Sequence, residues 1–238
     1  MDTIDIVKFP PYASNETLQV LSYHLDRECN RITLKEINWP DTYHYRPDIH
    51  FRIAYNEQHI FLKFDVHENE FRATEITDCG HVWEDSCVEL FIQLKDGDGY
   101  YNIEINAIGT ILCAYGTGRE NRSLMPIQIS TTILRDSTIK FNNENQDEAF
   151  YQWSLIIRFP HTAFFKHTFI PTSGTRSKEI FINAGTNFPT LTSSLGTRFQ
   201  RKNRISIDRN SSEHLFLNNY HENRIIYTDS WNFLRVAE

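Results

Sequence analysis

Trp83, Glu84 and Asp85 stand at the entrance to a run of alternating residues; Glu89, Asn102, Glu104 and Asn106 follow within it, and Arg119 and Arg122 lie just beyond. Two chemistries use such a set. An indole face stacks on the apolar face of a pyranose ring while planar carboxylates, amides and guanidinium groups take the rim hydroxyls. Alternatively, two carboxylates at a defined separation hydrolyse a glycosidic bond. Adjacent strand residues point to opposite faces, so Glu84 and Asp85, read as strand residues, make a poor acid/base couple. A glycoside-active enzyme would draw on Glu84, Asp85, Glu89 or Glu104. The non-catalytic reading takes Trp83 as the stacking ring and Asp85, Glu104, Asn106, Arg119 and Arg122 as polar contacts. A purely structural reading has Trp83 covering the sheet end, Asp85 and Glu89 held by backbone or arginine hydrogen bonds, and Glu104 and Asn106 on a solvated sheet face.

A hairpin must position these groups. Val88, Leu90 and Ile92 alternate with Glu89, Phe91 and Gln93, and after the KDGDG turn Ile103, Ile105 and Ala107 alternate with Asn102, Glu104 and Asn106. That is a period of two on both sides of a turn, which brings the polar residues of one strand opposite those of the other. Upstream, Phe51, Ile53 and Tyr55, then Ile60, Leu62, Phe64 and Val66, predict a second hairpin with NEQ as its turn. Residues 1–13 read as extended up to Pro10 and Pro11. From Ser14 an SNE start precedes Leu18, Leu21 and Leu25, the spacing of a short amphipathic helix. Residues 37–49, rich in Tyr, His and Pro, read as a loop packing its rings on the sandwich edge, and a sugar platform is the other reading. Residues 68–80 form a polar loop that delivers the chain to Trp83. GTGRENR, residues 116–122, reads as a glycine-bounded loop, and Ile127–Leu134 and Phe150–Phe159 as strands separated by the DSTIKFNNENQDE linker.

The chain of 238 residues is long enough to bury a sizeable core in one domain. Its 24 basic against 31 acidic residues argue against a general nucleic-acid binder or a binder of anionic membranes. Aromatics at 13% in strand-like runs suit an all-β protein. Cys29, Cys79, Cys87 and Cys113 have no C-x-x-C spacing, and His161, His167 and His214 no metal-ligand spacing. Cys87 and Cys113 fall in strand patterns and read as buried thiols. Neither a nucleophile elbow nor a phosphate loop occurs. No secretory signal or membrane-length apolar run is visible, so a cytoplasmic location is the default. Met125 is the one internal methionine offered to a haem-carrying electron-transfer domain, which ranks that reading low.

The run from Trp39 through FRIAY (51–55), IFLKFDVHE (60–68), VWEDSCVELFI (82–92), YYNIEINAIGT (100–110), YGTGRENR (115–122) and WSLIIRFP (153–160) resembles the carbohydrate-binding family 9-like domain, a relative of DOMON domains. W-x-D-S-C-V-E and Y-Y-N-x-E-x-N, in that order, carry the resemblance over about residues 39–175. It implies an all-β, immunoglobulin-like or jelly-roll β-sandwich that binds a mono- or oligosaccharide between two tryptophans with charged neighbours, and Trp83 matches one of the two. It implies no cofactor, leaves open a calcium ion propping a loop, and says nothing of oligomeric state.

Past Ser177 the resemblance stops. The family continues to N-F-Y-K-C-G, P-H-F-x-S-W-N and P-D-F-H-x-P-x-F-F-G, none of which appears here. Back-translation with each codon begun at the third base of the old one lets KEIFINAG read G-N-F-Y-K-C-G. In the same frame FPTLTSSLGT reads L-P-H-P-H-F-L-S-W-N, and KNRISIDRNSSE reads K-P-D-F-H-R-P-E-F-F-G, and a stop can fall at Asn218 and Asn219. Residues 1–177 carry 16 basic and 25 acidic side chains, against 8 and 6 in residues 178–238. The chain therefore divides into a sandwich, residues 1–177, and an atypical segment, residues 178–238, read as frame-shifted from about Arg176. A lineage-specific extension is the alternative.

Overall fold

The computed structural model describes residues 2–34, 45–94, 98–118, 120–142, 150–167, 180–187, 224–227 and 233–236. In chain order the first half comprises β1 (Asp2–Asp5), β2 (Val7–Lys8), α1 (Leu18–Glu28), β3 (Ile32–Thr33), β4 (Asp48–Tyr55), β5 (His59–Glu68), β6 (Cys87–Leu94) and β7 (Tyr100–Asn106). There follow β8 (Ile111–Gly116), β9 (Ser123–Leu124), α2 (Ile127–Ser130), β10 (Leu134–Asn142), β11 (Phe150–Pro160), β12 (Ile180–Asn187), β13 (Arg224–Tyr227) and β14 (Phe233–Val236). Two sheets form a sandwich. One has the order β10-β11-β5-β4-β2, with β3 also on β4; the other runs β14-β12-β6-β7-β8-β9; β1 and β13 pair separately. Among the described residues no helix is long and apolar enough to cross a membrane.

The two expected hairpins are present and their alternation makes the core. Phe51, Ile53, Leu62 and Phe64 of β4 and β5 join Val88, Leu90, Ile103 and Ile105 of β6 and β7 in one buried cluster. Each such side chain contributes about 1.5–3 kcal/mol relative to exposure. The first sheet is also covered on its outer side. Leu21 and Leu25 of α1 pack with Phe9, Ala54, Phe61 and Ile156, so β4 and β5 bury part of both faces. No disulfide joins the four cysteines, and Cys87 and Cys113 are buried as their strand positions predict.

Three local readings are corrected. The helix is capped by Thr17, whose hydroxyl accepts from the Val20 amide. Ser14 sits in the preceding 3-10 turn, where its hydroxyl pairs with His59 Nδ1 and accepts from Asn56 Nδ2. Residues 127–130 form a helical turn because Ser130, Thr131 and Thr132 bond back to the carbonyls of Ile127, Gln128 and Ile129 at 2.9, 2.8 and 2.7 Å. Those local bonds compete with a strand ladder and win. Asp136–Asn142, read as linker, belongs instead to β10, which pairs along β11 from Leu134 to Asn142. It is an edge strand, where charged residues such as Asp136 and Lys140 oppose further pairing. Polarity there marks an edge rather than a loop.

Candidate functional site

The outer face of the second sheet follows from strand register. Glu89 lies opposite Glu104, Phe91 opposite Asn102, and Cys87 opposite Asn106. Since alternate residues share a face, these six side chains project away from the core that Val88, Leu90, Ile103 and Ile105 fill. On the flanks, Gly185 of β12 registers with Glu89, and Leu112 of β8 with Glu104.

At one end of this face the chain makes a 3-10 turn, Val82–Glu84, before β6 begins. Glu84 and Asp85 are thus turn and cap residues, not strand neighbours as expected. Val82 is fully buried against Cys87, Leu112 and Cys79, which pins the turn from below. Trp83 remains 41% exposed. The His81 ring lies against the indole, centroids 4.6 Å apart and tilted by 31°. Glu84 is beside both Arg72 and His81, at 3.6 Å from each. The indole's ring contact is therefore His81, and Glu84, the next residue, links His81 and Arg72 at the rim of the turn. Sequence reading missed His81 and Arg72; His81, two positions before Trp83, is a weak signal, and Arg72 has none because the fold alone brings the loop back.

Asp85 and Asn106 do not face a ligand, which corrects the expectation for both. Asp85 is 0% exposed. Its Oδ2 accepts from the amides of Thr74 (3.0 Å) and Glu75 (2.8 Å) and from Asn106 Nδ2 (2.9 Å). Its Oδ1 accepts from the Thr74 hydroxyl and lies 3.4 Å from Arg72 Nε. Asn106, also 0% exposed, spends its amide on Asp85 and the Glu75 carbonyl and its oxygen on the Thr110 amide. Every polar atom of the pair is used inside the chain. Their role is to hold the Trp83 turn against β7.

Glu104 is enclosed too, at 7% exposure, but it is not satisfied. Oε1 accepts from Asn102 Nδ2 at 2.7 Å. Oε2, and the Oδ1 of Asn102, have no hydrogen-bond partner among the described residues. Burial pushes the Glu104 carboxyl up, opposed by the Asn102 bond and by the charge of Arg122. Arg122 in turn donates to the Gly118 carbonyl and the Tyr100 hydroxyl, with its guanidinium 4.9 Å from the Tyr100 ring centre. The structure thus brings Glu104 and Arg122 into one field and gives Trp83 a different set of neighbours. Arg119 and Trp39 lie outside the described residues. A groove of about 270 Å³ opens on the other sheet between His50, Asp65, Lys140 and Gln152. Its lining is polar and its indole, Trp153, is only 2% exposed, so it offers no stacking surface.

Comparison with known families matches residues 20–193 to carbohydrate-binding family 9. No curated protein matches the chain. Among solved structures, it is similar to a candidate carbohydrate-binding protein from Bacteroides uniformis, at 24% identity and a TM-score of 0.65, covering 98% of this chain and 88% of that one. A family 9 module from Caldicellulosiruptor kristjanssonii with glucose follows at 10% identity, TM-score 0.37, with 75% and 76% of the two chains covered. The cellotriose complex of a family 9 module from the same organism gives 11%, 0.36, 76% and 75%.

Proposed function

The chain belongs to carbohydrate-binding family 9, and from that membership we propose that it binds mono- or oligosaccharides through a single-sided aromatic platform centred on Trp83. This family is one of non-catalytic modules, so the role is binding rather than glycoside cleavage. One observation carries the platform: an indole 41% exposed between Val82 and Asp85, which are both fully buried. Exposing a large apolar ring on a turn clamped this firmly gives a rigid surface, and a rigid surface loses little entropy on binding. A pyranose lies flat on the ring, backed by His81, while Arg72 and Glu84 at the rim take hydroxyls. Arg119 and Arg122 are the further polar contacts, Arg122 from beside Glu104 and Tyr100, for the part of an oligosaccharide that extends past the indole. Glu104 is too enclosed to meet a sugar ring directly.

Titration calorimetry of the full chain against glucose, cellotriose and a wider oligosaccharide panel tests this. Saturable heat from at least one sugar, without release of reducing ends, is the expected result. Cleavage abolished by a single Glu→Gln change would replace the reading with an enzymatic one.

A further inference from the structure

The outer face of the first sheet is covered over only part of its length. Leu21 and Leu25 of α1 lie on Ala54, Phe61 and Ile156, and beyond these the same face is polar. By register, His50, Asp65, Ser154 and Thr138 form one row across β4, β5, β11 and β10. Asp48, His67, Gln152 and Lys140 form the next. Alternate strand residues share a face, so both rows project outward. Together with Arg31, which follows α1 and lies at the β3 edge, they line the groove of about 270 Å³.

The first row is largely satisfied within the chain. Asp65 accepts from Arg52 Nη1 at 2.8 Å and from the Ser154 hydroxyl at 2.7 Å, and Arg52 and Lys63 both meet Asp26 of α1. Those two acids and two bases cancel. His50, 8% exposed, pairs through Nδ1 with the Thr33 hydroxyl. Its Nε2 lies 3.0 Å from Asp48 Oδ1 but out of line for a hydrogen bond, and has no other partner among the described residues. The open side of the groove differs. The side chains of Lys140, Gln152 and Thr138 on one rim, and of Arg31 on the other, have no polar partner among the described residues. The charge left uncancelled is therefore Arg31 and Lys140 against Asp48, a positive excess of one in a concave site.

We propose that this groove binds an acidic sugar, a single hydroxylated ring bearing a carboxylate or a phosphate. Its volume, just below the roughly 300–1,000 Å³ usual for small-molecule sites, fits one ring. Lys140 and Gln152, opposite each other across β10 and β11, take the anion, the lysine through a charge-assisted hydrogen bond. Arg31 adds positive field from the far rim. Thr138 and His67 take hydroxyls, and the Phe150 ring, 4.2 Å from the imidazole, holds His67 in place. A neutral sugar gains little here, because the indole that lines the groove, Trp153, is 2% exposed and cannot stack. The net charge of −7 opposes anions at long range, but salt screens that field beyond about 10 Å, so the local cations decide. The groove lies on the sheet that does not carry the Trp83 turn, so failure of either reading leaves the other intact.

The test is calorimetric titration of the full chain with glucuronate, galacturonate and glucose 6-phosphate, beside acetate and inorganic phosphate. Saturable binding of a uronate or of the sugar phosphate is expected, and which of them binds identifies the anion. Lys140→Gln, at an exposed position that leaves the fold intact, should weaken that binding about tenfold, as loss of a hydrogen bond to a charged group does. Trp83→Ala should leave it unchanged. No saturable heat from any acidic sugar overturns the proposal, and so does equal affinity in Lys140→Gln. Loss of acidic-sugar binding in folded Trp83→Ala would put the ligand on the platform instead and overturns it too. Acetate or inorganic phosphate binding as tightly as the sugar would make the groove a bare anion site and overturn the sugar assignment.

Discussion

Asn106 Nδ2 donates to Asp85 Oδ2 at 2.9 Å across the join between the Trp83 turn and β7, and neither side chain is exposed. This bond is the link between the sheet and the indole. Replacing Asp85 with Ala leaves the Thr74 and Glu75 amides without this acceptor and the Asn106 amide group with the Glu75 carbonyl alone. At about 1–3 kcal/mol for each buried donor left unpaired, Asp85→Ala should cost at least about 3 kcal/mol in urea unfolding and should abolish saccharide binding. Parental stability and affinity in that variant would show that the clamp does not position the ring.

Glu68 provides a pH-dependent element next to the same loop. It is 1% exposed and accepts from Trp153 Nε1 at 2.7 Å, and burial pushes its carboxyl up to about 7. A folded value above the unfolded one means that its contribution to stability is full below the ordinary carboxylate range and is lost as pH rises through about 7. Glu68→Gln keeps an acceptor for Trp153 without the charge. The unfolding free-energy difference between Glu68→Gln and the parent, from urea titrations, should therefore be near zero at pH 4 and grow in favour of the variant up to pH 8, to about 3 kcal/mol by linkage. A difference independent of pH would place the Glu68 carboxyl in the ordinary range.

Arg122 is bound to its own loop through the Gly118 carbonyl and stacks on Tyr100, so its truncation should perturb the site more than the fold. Arg122→Ala is expected to weaken saccharide binding about tenfold while changing stability by less than about 1 kcal/mol. Equal affinity in calorimetry would remove Arg122 from the contact set.

Much of this was legible in the residues, for physical reasons. The hairpins at residues 49–67 and 88–107 alternate because one face of each lies on the core, and that constraint writes period two into the chain, broken where α1 covers Phe61 on the outer side. The edge strand β10 has no such constraint on Asp136–Asn142 and so reads as linker. Asp85 and Asn106 carry the right types for ligand contacts, but only the fold shows Thr74 and Glu75 brought round to consume them. Glu104 was visible as a polar strand residue; that its second oxygen has no partner among the described residues was not. Arg72 became a neighbour of Glu84 through a loop with no periodicity to read.

The segment after Arg176 makes a prediction at the level of DNA. The family match continues to residue 193, and Ile180–Asn187 lies along β6 in the chain as read, so a genuine extension is a concrete alternative. Sequencing the DNA that encodes Ser173 to Tyr220 and reading all three frames is expected to spell the family motifs one frame away. Their absence in every frame would make the segment genuine.

The most direct test of the platform compares the parent with Trp83→Ala in calorimetric titrations of the sugar that binds best. The indole is exposed and its ring contact is His81, so the variant should keep the parent's Tm to within the effect of a surface change, about 0.5 kcal/mol. Binding should weaken by at least about 2 kcal/mol, roughly thirtyfold. A folded Trp83→Ala that binds as tightly as the parent would contradict the assignment of saccharide binding to this turn.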